Sequence, residues 1–246
     1  MISVNFTDNK IMNCAILLAA GTGTRMGDQI EDKILVPLLG KPVINYSISA
    51  FTKTHKFSRF VIVYRDELQR EAIAKILMPD FLRKYNLTFI KGGESRQVSV
   101  FNALKELENW NASNRFVAIH DAARPLIHSA FISELLASAE KHQNAIPATF
   151  MVDTIKSIES DGESVKDLDR SRLRSVQTPQ IFDFNLIYEC YQKVFESKHT
   201  ITDDSSALAF LDAKINLVLN DRPNPKLTTK NDIDYILYLL NQKPLQ

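Results

Sequence analysis

The pattern of apolar and polar positions begins with a short, uninterrupted apolar segment. Residues Cys14 to Ala20 are all apolar, and Gly21 ends the run. A run of this length without polar alternation is typical of a strand buried on both faces of a parallel sheet, so a central strand is predicted here. Later apolar runs predict further strands at Phe60 to Tyr64, Leu87 to Ile90, Phe116 to Ile119, Asn144 to Val152 and Ile215 to Leu219.

Between these runs, apolar residues recur with the spacing of amphipathic helices. The segment Gln97 to Trp110 places Val100, Phe101, Leu104 and Leu107 on one side. Strands that alternate with helices form βαβ units, so the predicted fold class is α/β, with a doubly wound, mostly parallel, Rossmann-like sheet. Such folds bind ligands at the carboxyl ends of their strands. Other helices are predicted at Phe131 to Lys141, Asn185 to Phe195, Asp204 to Leu211 and Lys230 to Leu240.

A projecting arm is predicted after the strand that begins at Asn144. Asp153 to Ser157 and Leu173 to Val176 keep an extended alternation on either side of the polar stretch Glu159 to Asp169. We expect these two segments to pair as a hairpin, so that residues 150–176 form a β-arm. Because an isolated two-stranded hairpin is marginally stable, the arm is expected to pack on a second subunit in a homodimer.

Composition and charge narrow the classes of function. The 246 residues are 45% apolar and 24% charged, which suits one globular domain over residues 1–246. The net charge of +1 favours neither nucleic acid nor an anionic membrane as a partner. Cys14 and Cys190 match no metal or redox spacing and are expected to be reduced core residues. The sequence has no leader pattern and no apolar run of about eighteen residues, so a cytoplasmic location is expected.

A glycine-rich loop, Leu18 to Gly27, follows the first strand, where backbone amides can approach a phosphate without an intervening Cβ. Met26 stands where a dinucleotide-binding fingerprint needs its third glycine, which disfavours a nicotinamide oxidoreductase. No Walker A sequence follows either. Arg25 and Lys33 supply two cations, which suit a triphosphate that loses pyrophosphate. The alternative is a plain strand-to-helix turn.

Two more segments place polar side chains at predicted strand ends. Arg96 and Ser99 follow Gly92-Gly93 and either face a ligand or belong to an ordinary helix start. Asp121 comes at the end of a later strand, where a carboxylate either binds Mg²⁺ beside phosphates or caps a turn. The preceding His120 is more typical of a structural histidine.

Several motifs, in one order, resemble those of a known family. They are Leu18 to Gly27, Gly92 to Val100, His120 to Pro125, Thr178 to Gln180, Thr202 to Ala207 and Asn224 to Thr228. On these motifs the chain, from Ala15 to about Tyr238, resembles the 2-C-methyl-D-erythritol 4-phosphate cytidylyltransferases, which are sugar-nucleotide pyrophosphorylase-like nucleotidyltransferases. The resemblance implies cytidylyl transfer from CTP to methylerythritol phosphate in isoprenoid precursor synthesis. It also implies Mg²⁺ or another divalent cation.

The resemblance implies roles for individual residues as well. The expected catalytic cations, which stabilise charge on the transferring phosphoryl group, are Arg25, Lys33 and Lys226. The expected nucleotide contacts are Ala19, Ala20, Gly21, Gly23, Gly93, Arg96, Ser99, Asp121 and Ala122. Asp121 is also the expected metal ligand. The expected contacts with the small polyol phosphate are Arg124, Thr154, Arg170 and Thr178, of which Thr154 and Arg170 reach the site of the partner subunit.

The chain departs from the family pattern next to the two expected catalytic lysines. Asp32 and Ile34 flank Lys33 where the family commonly has proline and glutamine, and Pro225 precedes Lys226 where the family commonly has an apolar residue. A carboxylate at Asp32 can partly neutralise the neighbouring lysine. The rival functions are a ribitol-5-phosphate cytidylyltransferase, with the same reaction on another polyol, and a non-catalytic nucleotide-binding protein.

Overall fold

The computed structural model describes residues 12–21, 23, 32–77, 81, 84–109, 114–160, 162–163 and 165–242. Its strands are β1 Met12–Leu18, β2 Pro37–Leu38, β3 Lys41–Pro42, β4 Arg59–Tyr64, β5 Asn86–Lys91, β6 Asn114–Asp121, β7 Asn144–Phe150, β8 Lys156–Ile158, β9 Val165–Asp167, β10 Arg174–Val176, β11 Gln180–Asp183 and β12 Leu217–Leu219. Its helices are α1 Val43–Lys53, α2 Glu67–Ile76, α3 Arg96–Asn109, α4 Ser129–His142, α5 Phe184–Glu196, α6 Ser205–Phe210 and α7 Asn231–Asn241. Outside the arm, the predicted strands and helices are present, with ends shifted by one or two residues.

The central sheet has the strand order β10-β7-β11-β6-β1-β4-β5, with β12 also paired to β7. Strands β6, β1, β4 and β5 are parallel, and Leu18 of β1 lies between Val63 and Asp121. Strand β11 runs antiparallel between β6 and β7. The predicted α/β class and the central position of β1 are confirmed. The carboxyl ends of β1, β4, β5 and β6 meet at one edge.

Both faces of the sheet carry a hydrophobic core. Along β1, Cys14 and Ile16 pack with α3 and α5, whereas Ala15 and Leu17 pack with α1 and α4. All four side chains are fully buried. Successive side chains of a strand point to opposite faces, so an apolar run without alternation fits a strand with a core on each side. The other cysteine, Cys190, is also free and buried, as expected.

Acidic side chains fix the starts of two helices. Asp183 accepts a hydrogen bond from the Leu186 amide at 3.1 Å, so α5 begins directly after β11. Asp66 accepts one from the Gln69 amide at 2.9 Å at the start of α2. Each carboxylate satisfies an amide that the helix leaves unpaired and lies at the positive end of the helix dipole. In the parts of the chain that the structure describes, no helix has both the length and the apolar character needed to cross a membrane.

The arm differs from the hairpin that the sequence predicted. Strand β8 pairs with β9, whereas β10 pairs with residues 148–150 of β7. The predicted pairing of Asp153 to Ser157 with Leu173 to Val176 is therefore wrong. The physical reason lies in β7, which pairs with β11 at Asn144 and Ala145. Its later residues need another partner for their backbone groups, and β10 fills that position.

Candidate active site

A cleft of about 450 Å³ opens at the carboxyl edge of the parallel strands. Residues at the ends of β1, β4 and β6 line it, together with the segment between β5 and α3. This is the edge at which doubly wound sheets bind ligands. The cleft brings together nine of the predicted site residues, namely Ala19, Ala20, Gly21, Lys33, Gly93, Arg96, Ser99, Asp121 and Lys226.

Two glycines let the segment after β5 approach β1 and α3 closely. A Cβ added at Gly92 would lie 2.7 Å from the Cβ of Ala20, and one added at Gly93 would lie still closer to Cγ1 of Val98. Both distances are below ordinary contact, so a side chain at either position would displace its neighbours. The Gly93 amide donates a hydrogen bond of 3.0 Å to the Ser99 hydroxyl. Ser99 therefore holds the glycine turn that lines the cleft.

Asp121, the last residue of β6, lies among three cations. Its Oδ2 is 2.8 Å from Lys226 Nζ and 3.6 Å from Arg124 Nε, and its Oδ1 is 3.5 Å from Arg96 Nε. We call these four residues the Asp121 cluster. Burial raises the pKa of Asp121, but the charges of the three cations outweigh burial and hold its pKa well below the ordinary value. The carboxylate is therefore ionised at neutral pH.

Arg96 binds a second carboxylate, that of Asp204. Arg96 Nη1 and Nη2 donate hydrogen bonds to Asp204 Oδ1 and Oδ2 at 2.9 Å and 2.7 Å, and the Tyr191 hydroxyl donates to Oδ1 at 2.6 Å. Burial lowers the pKa of Arg96, but Asp204 and Asp121 outweigh burial and raise it above its ordinary value. The alternative of a solvated arginine at an ordinary helix start is therefore wrong, since the guanidinium binds the carboxylates of Asp204 and Asp121.

The segment that carries Lys226 is joined to the loop after β6. Asn224 Nδ2 donates a hydrogen bond to the Thr178 carbonyl at 3.0 Å, and Arg124 Nη1 donates one to the Asn224 carbonyl at 2.7 Å. The Leu227 amide donates to the Ala123 carbonyl at 2.8 Å. Because Asn224 and Leu227 are both held by hydrogen bonds, the Lys226 amine between them lies next to the Asp121 carboxylate.

Lys33 lies beside the glycine loop. Its Cε and Nζ are each 3.7 Å from the position that a Cβ on Gly21 would occupy. The preceding Asp32 accepts a hydrogen bond of 2.5 Å from Gln69 Nε2 and lies 3.4 Å from Arg65 Nη2. Burial raises the pKa of Asp32, and its hydrogen bonds oppose that rise. Gln69 Nε2 also donates to the Ala19 carbonyl at 3.0 Å, which connects the Asp32 segment to the glycine loop.

His120 is a structural residue, as the sequence favoured. It is fully buried, with Nε2 3.2 Å from the Ser47 hydroxyl and Nδ1 3.1 Å from the Thr178 hydroxyl. Burial lowers its pKa to about 3, so it is neutral at physiological pH. Thr178 Oγ1 also accepts a hydrogen bond from the Asp121 amide at 3.0 Å. The structure thus places Thr178 behind the cleft, where it supports Asp121, and its predicted substrate contact stays a prediction.

Other predicted residues lie beside the cleft or on the arm. Ala122 is buried and donates its amide to the Leu18 carbonyl at 3.1 Å. Arg124 contacts Asp121, as described above. Thr154 and Arg170 are exposed, and Arg170 Nη1 donates to the Val152 carbonyl at 2.6 Å. Their roles as ligand contacts stay predictions.

Gly23 and Arg25 are the remaining predicted site residues of the glycine loop. Gly23 has φ +67°, a conformation that glycine adopts without strain. Arg25 lies outside the described residues. The catalytic role of Arg25 therefore stays a prediction from the sequence.

Sequence reasoning did not select five residues that shape the site. Arg65 and Glu94 line the cleft, whereas Asp204 and Tyr191 hold Arg96, and Asn224 anchors the Lys226 segment. Asp204 and Asn224 lie within motifs that carry the family resemblance, so those motifs were the available signal. Tyr191 has the pattern of an ordinary core residue in a helix.

A divalent cation fits the cleft only as a partly protein-bound ion. Among the described residues, no group of three or more histidine, cysteine or acidic side chains can hold a metal. Asp121 offers an ionised carboxylate at the cleft, and Mg²⁺ commonly binds through one or two carboxylates plus substrate phosphates and water. The donor set therefore fits an ion whose other ligands come from a bound nucleotide.

The fold is that of the α/β nucleotidyltransferases. The chain is similar to the solved structure of 4-diphosphocytidyl-2C-methyl-D-erythritol synthase from Anaerococcus prevotii, with a TM-score of 0.78 and 29% identity over 96% of this chain and 100% of that one. It also has a TM-score of 0.71 and 22% identity to a structure from Thermus thermophilus, which covers 93% of this chain and 98% of that one.

The sequence pattern that defines the 2-C-methyl-D-erythritol 4-phosphate cytidylyltransferase family matches residues 13–242. The chain belongs to this family. A relative of that name from Clostridium beijerinckii is 36% identical over 229 residues, which cover 90% of this chain and 95% of the relative. Another from Clostridium kluyveri is also 36% identical, over 90% of this chain and 93% of the relative.

Proposed function

We propose that this protein transfers the cytidylyl group of CTP to 2-C-methyl-D-erythritol 4-phosphate and releases pyrophosphate. The observation that carries the proposal is the Asp121 cluster, which places fixed cations around one carboxylate at the cleft of a chain that belongs to this family. A site that only binds nucleotide does not need charge concentrated on the group that is transferred.

Binding of CTP is supported by the charge of the cleft lining. Four basic side chains of the described residues line the cleft: Lys33, Arg65, Arg96 and Lys226. Preorganised cations stabilise a triphosphate without reorganisation during the reaction. Gly92 and Gly93, which pack closely against Ala20 and Val98, form part of the wall of this cleft.

The reaction is an in-line displacement at the α-phosphorus of CTP. A phosphate oxygen of the acceptor forms a bond to this phosphorus, and the bond from phosphorus to the oxygen that bridges to the β-phosphate breaks. The electron pair of the broken bond leaves with pyrophosphate. The acceptor phosphate is mostly ionised at neutral pH, so no general base is required. Lys226, Lys33 and Arg25 are proposed to stabilise the charge on the transferring group.

A divalent cation such as Mg²⁺ is part of the proposal. Asp121 would be its protein ligand, and the ion would supply charge neutralisation at the phosphates when bound. The protein's own contribution is orientation, because the three cations of the Asp121 cluster hold the carboxylate and the Thr178 hydroxyl accepts a hydrogen bond from the Asp121 amide.

A homodimer through the arm is also proposed. Phe150, Val176, Leu217 and Leu219 are between 41% and 58% exposed. Val176 and Leu219 both pair with Ala148. Phe150 follows Ala148 by two residues in β7, and Leu217 precedes Leu219 by two residues in β12, so the four share one face of the sheet. An exposed apolar face beside a thin arm is typical of a protein interface.

The dimer is tested by placing a charge on this face. Phe150→Asp is expected to produce monomers in analytical ultracentrifugation, whereas Leu68→Asp, at an exposed position on α2, is not. A Phe150→Asp protein that remains dimeric would remove this face from the interface.

The acceptor is tested by measuring pyrophosphate release from CTP with methylerythritol phosphate or ribitol 5-phosphate, and with no acceptor. Methylerythritol phosphate is expected to react at least about tenfold faster, a difference of about 1.4 kcal/mol in the barrier. The reaction without acceptor measures simple hydrolysis of CTP. Equal or inverted rates would contradict the assigned acceptor while leaving cytidylyl transfer intact.

A further inference from the structure

Asp204 does not line the cleft itself but binds Arg96, which does. Its carboxylate is fully buried, and both of its oxygens bind the guanidinium of Arg96, which lines the cleft. The two residues are 108 positions apart in the sequence. A bidentate pair fixes both the position and the plane of a guanidinium, which a single hydrogen bond does not.

The remaining donors of Arg96 are limited. A guanidinium has five N–H groups. Asp204 accepts from two of them, and Nε lies 3.5 Å from Asp121 Oδ1. Two N–H groups are then left for a ligand, in an orientation that the carboxylates set. Arg96 thus bridges a buried acid outside the cleft and the acid that is the expected metal ligand.

Asp204 is itself held in place before any ligand arrives. The Tyr191 hydroxyl donates to its Oδ1 at 2.6 Å. Gln97, the neighbour of Arg96, donates from Nε2 to the His199 carbonyl at 3.0 Å and accepts at Oε1 from the Ile201 amide at 3.1 Å. These bonds join the start of α3 to the segment that leads to Asp204. The carboxylate is therefore held by a contact that does not involve Arg96, and it sets where the guanidinium lies.

We infer that Asp204, held by Tyr191, is a positioning residue that orients Arg96 toward the cleft and toward Asp121 during cytidylyl transfer. This inference rests on the proposed function. Asp204 does not contact the reacting atoms. Its effect is to keep one cation of the cleft in a single orientation, at a fixed distance from the Asp121 carboxylate.

The central variant is Asp204→Asn, which keeps the shape of the side chain but removes its charge and one acceptor. We expect kcat/KM for CTP to fall by about tenfold or more, the scale expected when one charge-assisted contact is lost. Asp203→Asn is the matched control. Asp203 binds Gln180, Ser205 and Ser206 at the start of α6, so its loss weakens the same segment and leaves the Arg96 pair in place.

A double variant of Asp204 and Arg96 distinguishes positioning of Arg96 from a general structural effect of Asp204. In an Arg96→Gln background, Asp204 has no guanidinium to orient, so adding Asp204→Asn is expected to change kcat/KM by less than about twofold. A full tenfold loss in that background would overturn the inference. Equal losses from Asp203→Asn and Asp204→Asn would overturn it as well.

A milder pair of variants tests the inference if Asp204→Asn does not fold. Tyr191→Phe removes one hydrogen bond to Asp204, whereas Tyr188→Phe, on the same helix, removes a hydroxyl from a ring that stacks on Phe184. Only Tyr191→Phe is expected to lower kcat/KM for CTP, by about threefold. Identical activities of these two variants would contradict the inference.

Binding of CTP, measured by calorimetry, distinguishes failure of this inference from failure of the proposed function. If the wild type binds CTP but transfers nothing to methylerythritol phosphate, the proposed function fails, and weaker CTP binding by Asp204→Asn than by Asp203→Asn still supports the positioning of Arg96. If the wild type transfers the group and the Asp204→Asn protein matches it in both binding and turnover, the inference fails alone. A wild type that neither binds nor transfers contradicts both.

Discussion

Lys226 donates to Asp121, with Nζ 2.8 Å from Oδ2, at the point where β6 ends. Arg96 and Arg124 lie 3.5 Å and 3.6 Å from the same carboxylate. Because these two arginines also balance its charge, the Lys226 amine can move to a phosphate without leaving a buried carboxylate unpaired. The contact with Asp121 therefore keeps the Lys226 amine at the cleft and still allows it to bind a phosphate there.

Removal of this amine tests its catalytic role. Lys226→Ala is expected to lower kcat by about 10²-fold or more, the scale for loss of one preorganised contact in the transition state. Lys141→Ala, at an exposed position on α4, is the matched control and should keep normal kinetics. Steady-state rates over a range of CTP concentrations give kcat and KM separately. A raised KM with normal kcat would show that Lys226 contributes only uniform binding.

The buried His120 predicts a dependence of stability on pH. Burial lowers its pKa from 6.5 to about 3, so the unfolded chain binds a proton between these values that the folded chain does not. The free energy of unfolding should therefore fall by about 1.4 kcal/mol per pH unit from this residue as the pH drops below about 6.5. His120→Gln should lose that part of the slope in urea unfolding between pH 6.5 and 4. Parallel curves for the two proteins would contradict the prediction.

The close approach of Gly92 to Ala20 can be tested by adding a methyl group at position 92 and removing the one at position 20. Gly92→Ala puts a Cβ 2.7 Å from the Cβ of Ala20 and is expected to cost about 1–3 kcal/mol of unfolding free energy, as overpacking does. Adding Ala20→Gly removes the opposing methyl, so the double variant should be more stable than Gly92→Ala. CTP affinity should follow the same order. A double variant less stable than both single variants would show that this contact does not limit the approach.

The spacing of apolar residues predicted most of the fold, because it shows which faces of a strand or helix are buried. That information lies within each segment of the sequence. The uninterrupted apolar run of β1 indicated burial on both faces, and the structure places a core on each side. Strand pairing in the arm was predicted wrongly because pairing depends on which distant edge is open. Arg174–Val176 joins β7, and no feature of its own sequence specifies that edge.

The site was predicted in part for a similar reason. Asp121 and Lys226 lie in motifs that indicate their place at strand ends, and the structure brings them into one cleft. The support for Arg96 was missed, because Asp204 is 108 residues away and Tyr191 has the spacing of a core aromatic. Contacts among three distant segments leave no periodic signal, so the structure was needed to find them.

A role for Arg170 in the partner's site is tested by complementation. If Lys226→Ala and Arg170→Ala dimers are each nearly inactive, a mixed dimer has both lesions in one site and none in the other. Random exchange in an equal mixture makes about half of the dimers mixed, so about a quarter of wild-type activity should return. Mass spectrometry of differently tagged chains verifies the exchange. Verified exchange without recovered activity would place Arg170 in its own subunit's site or in none.

The most direct test of the central claim is the ³¹P NMR spectrum of a reaction that contains the protein, CTP, methylerythritol phosphate and Mg²⁺. Cytidylyl transfer predicts that the acceptor's phosphomonoester signal disappears while a diphosphate diester and pyrophosphate appear in equal amounts. The Lys226→Ala protein should give the same products about 10²-fold more slowly. Formation of CMP with an unchanged acceptor signal, or no change in the spectrum at all, would contradict transfer to the polyol phosphate at this cleft.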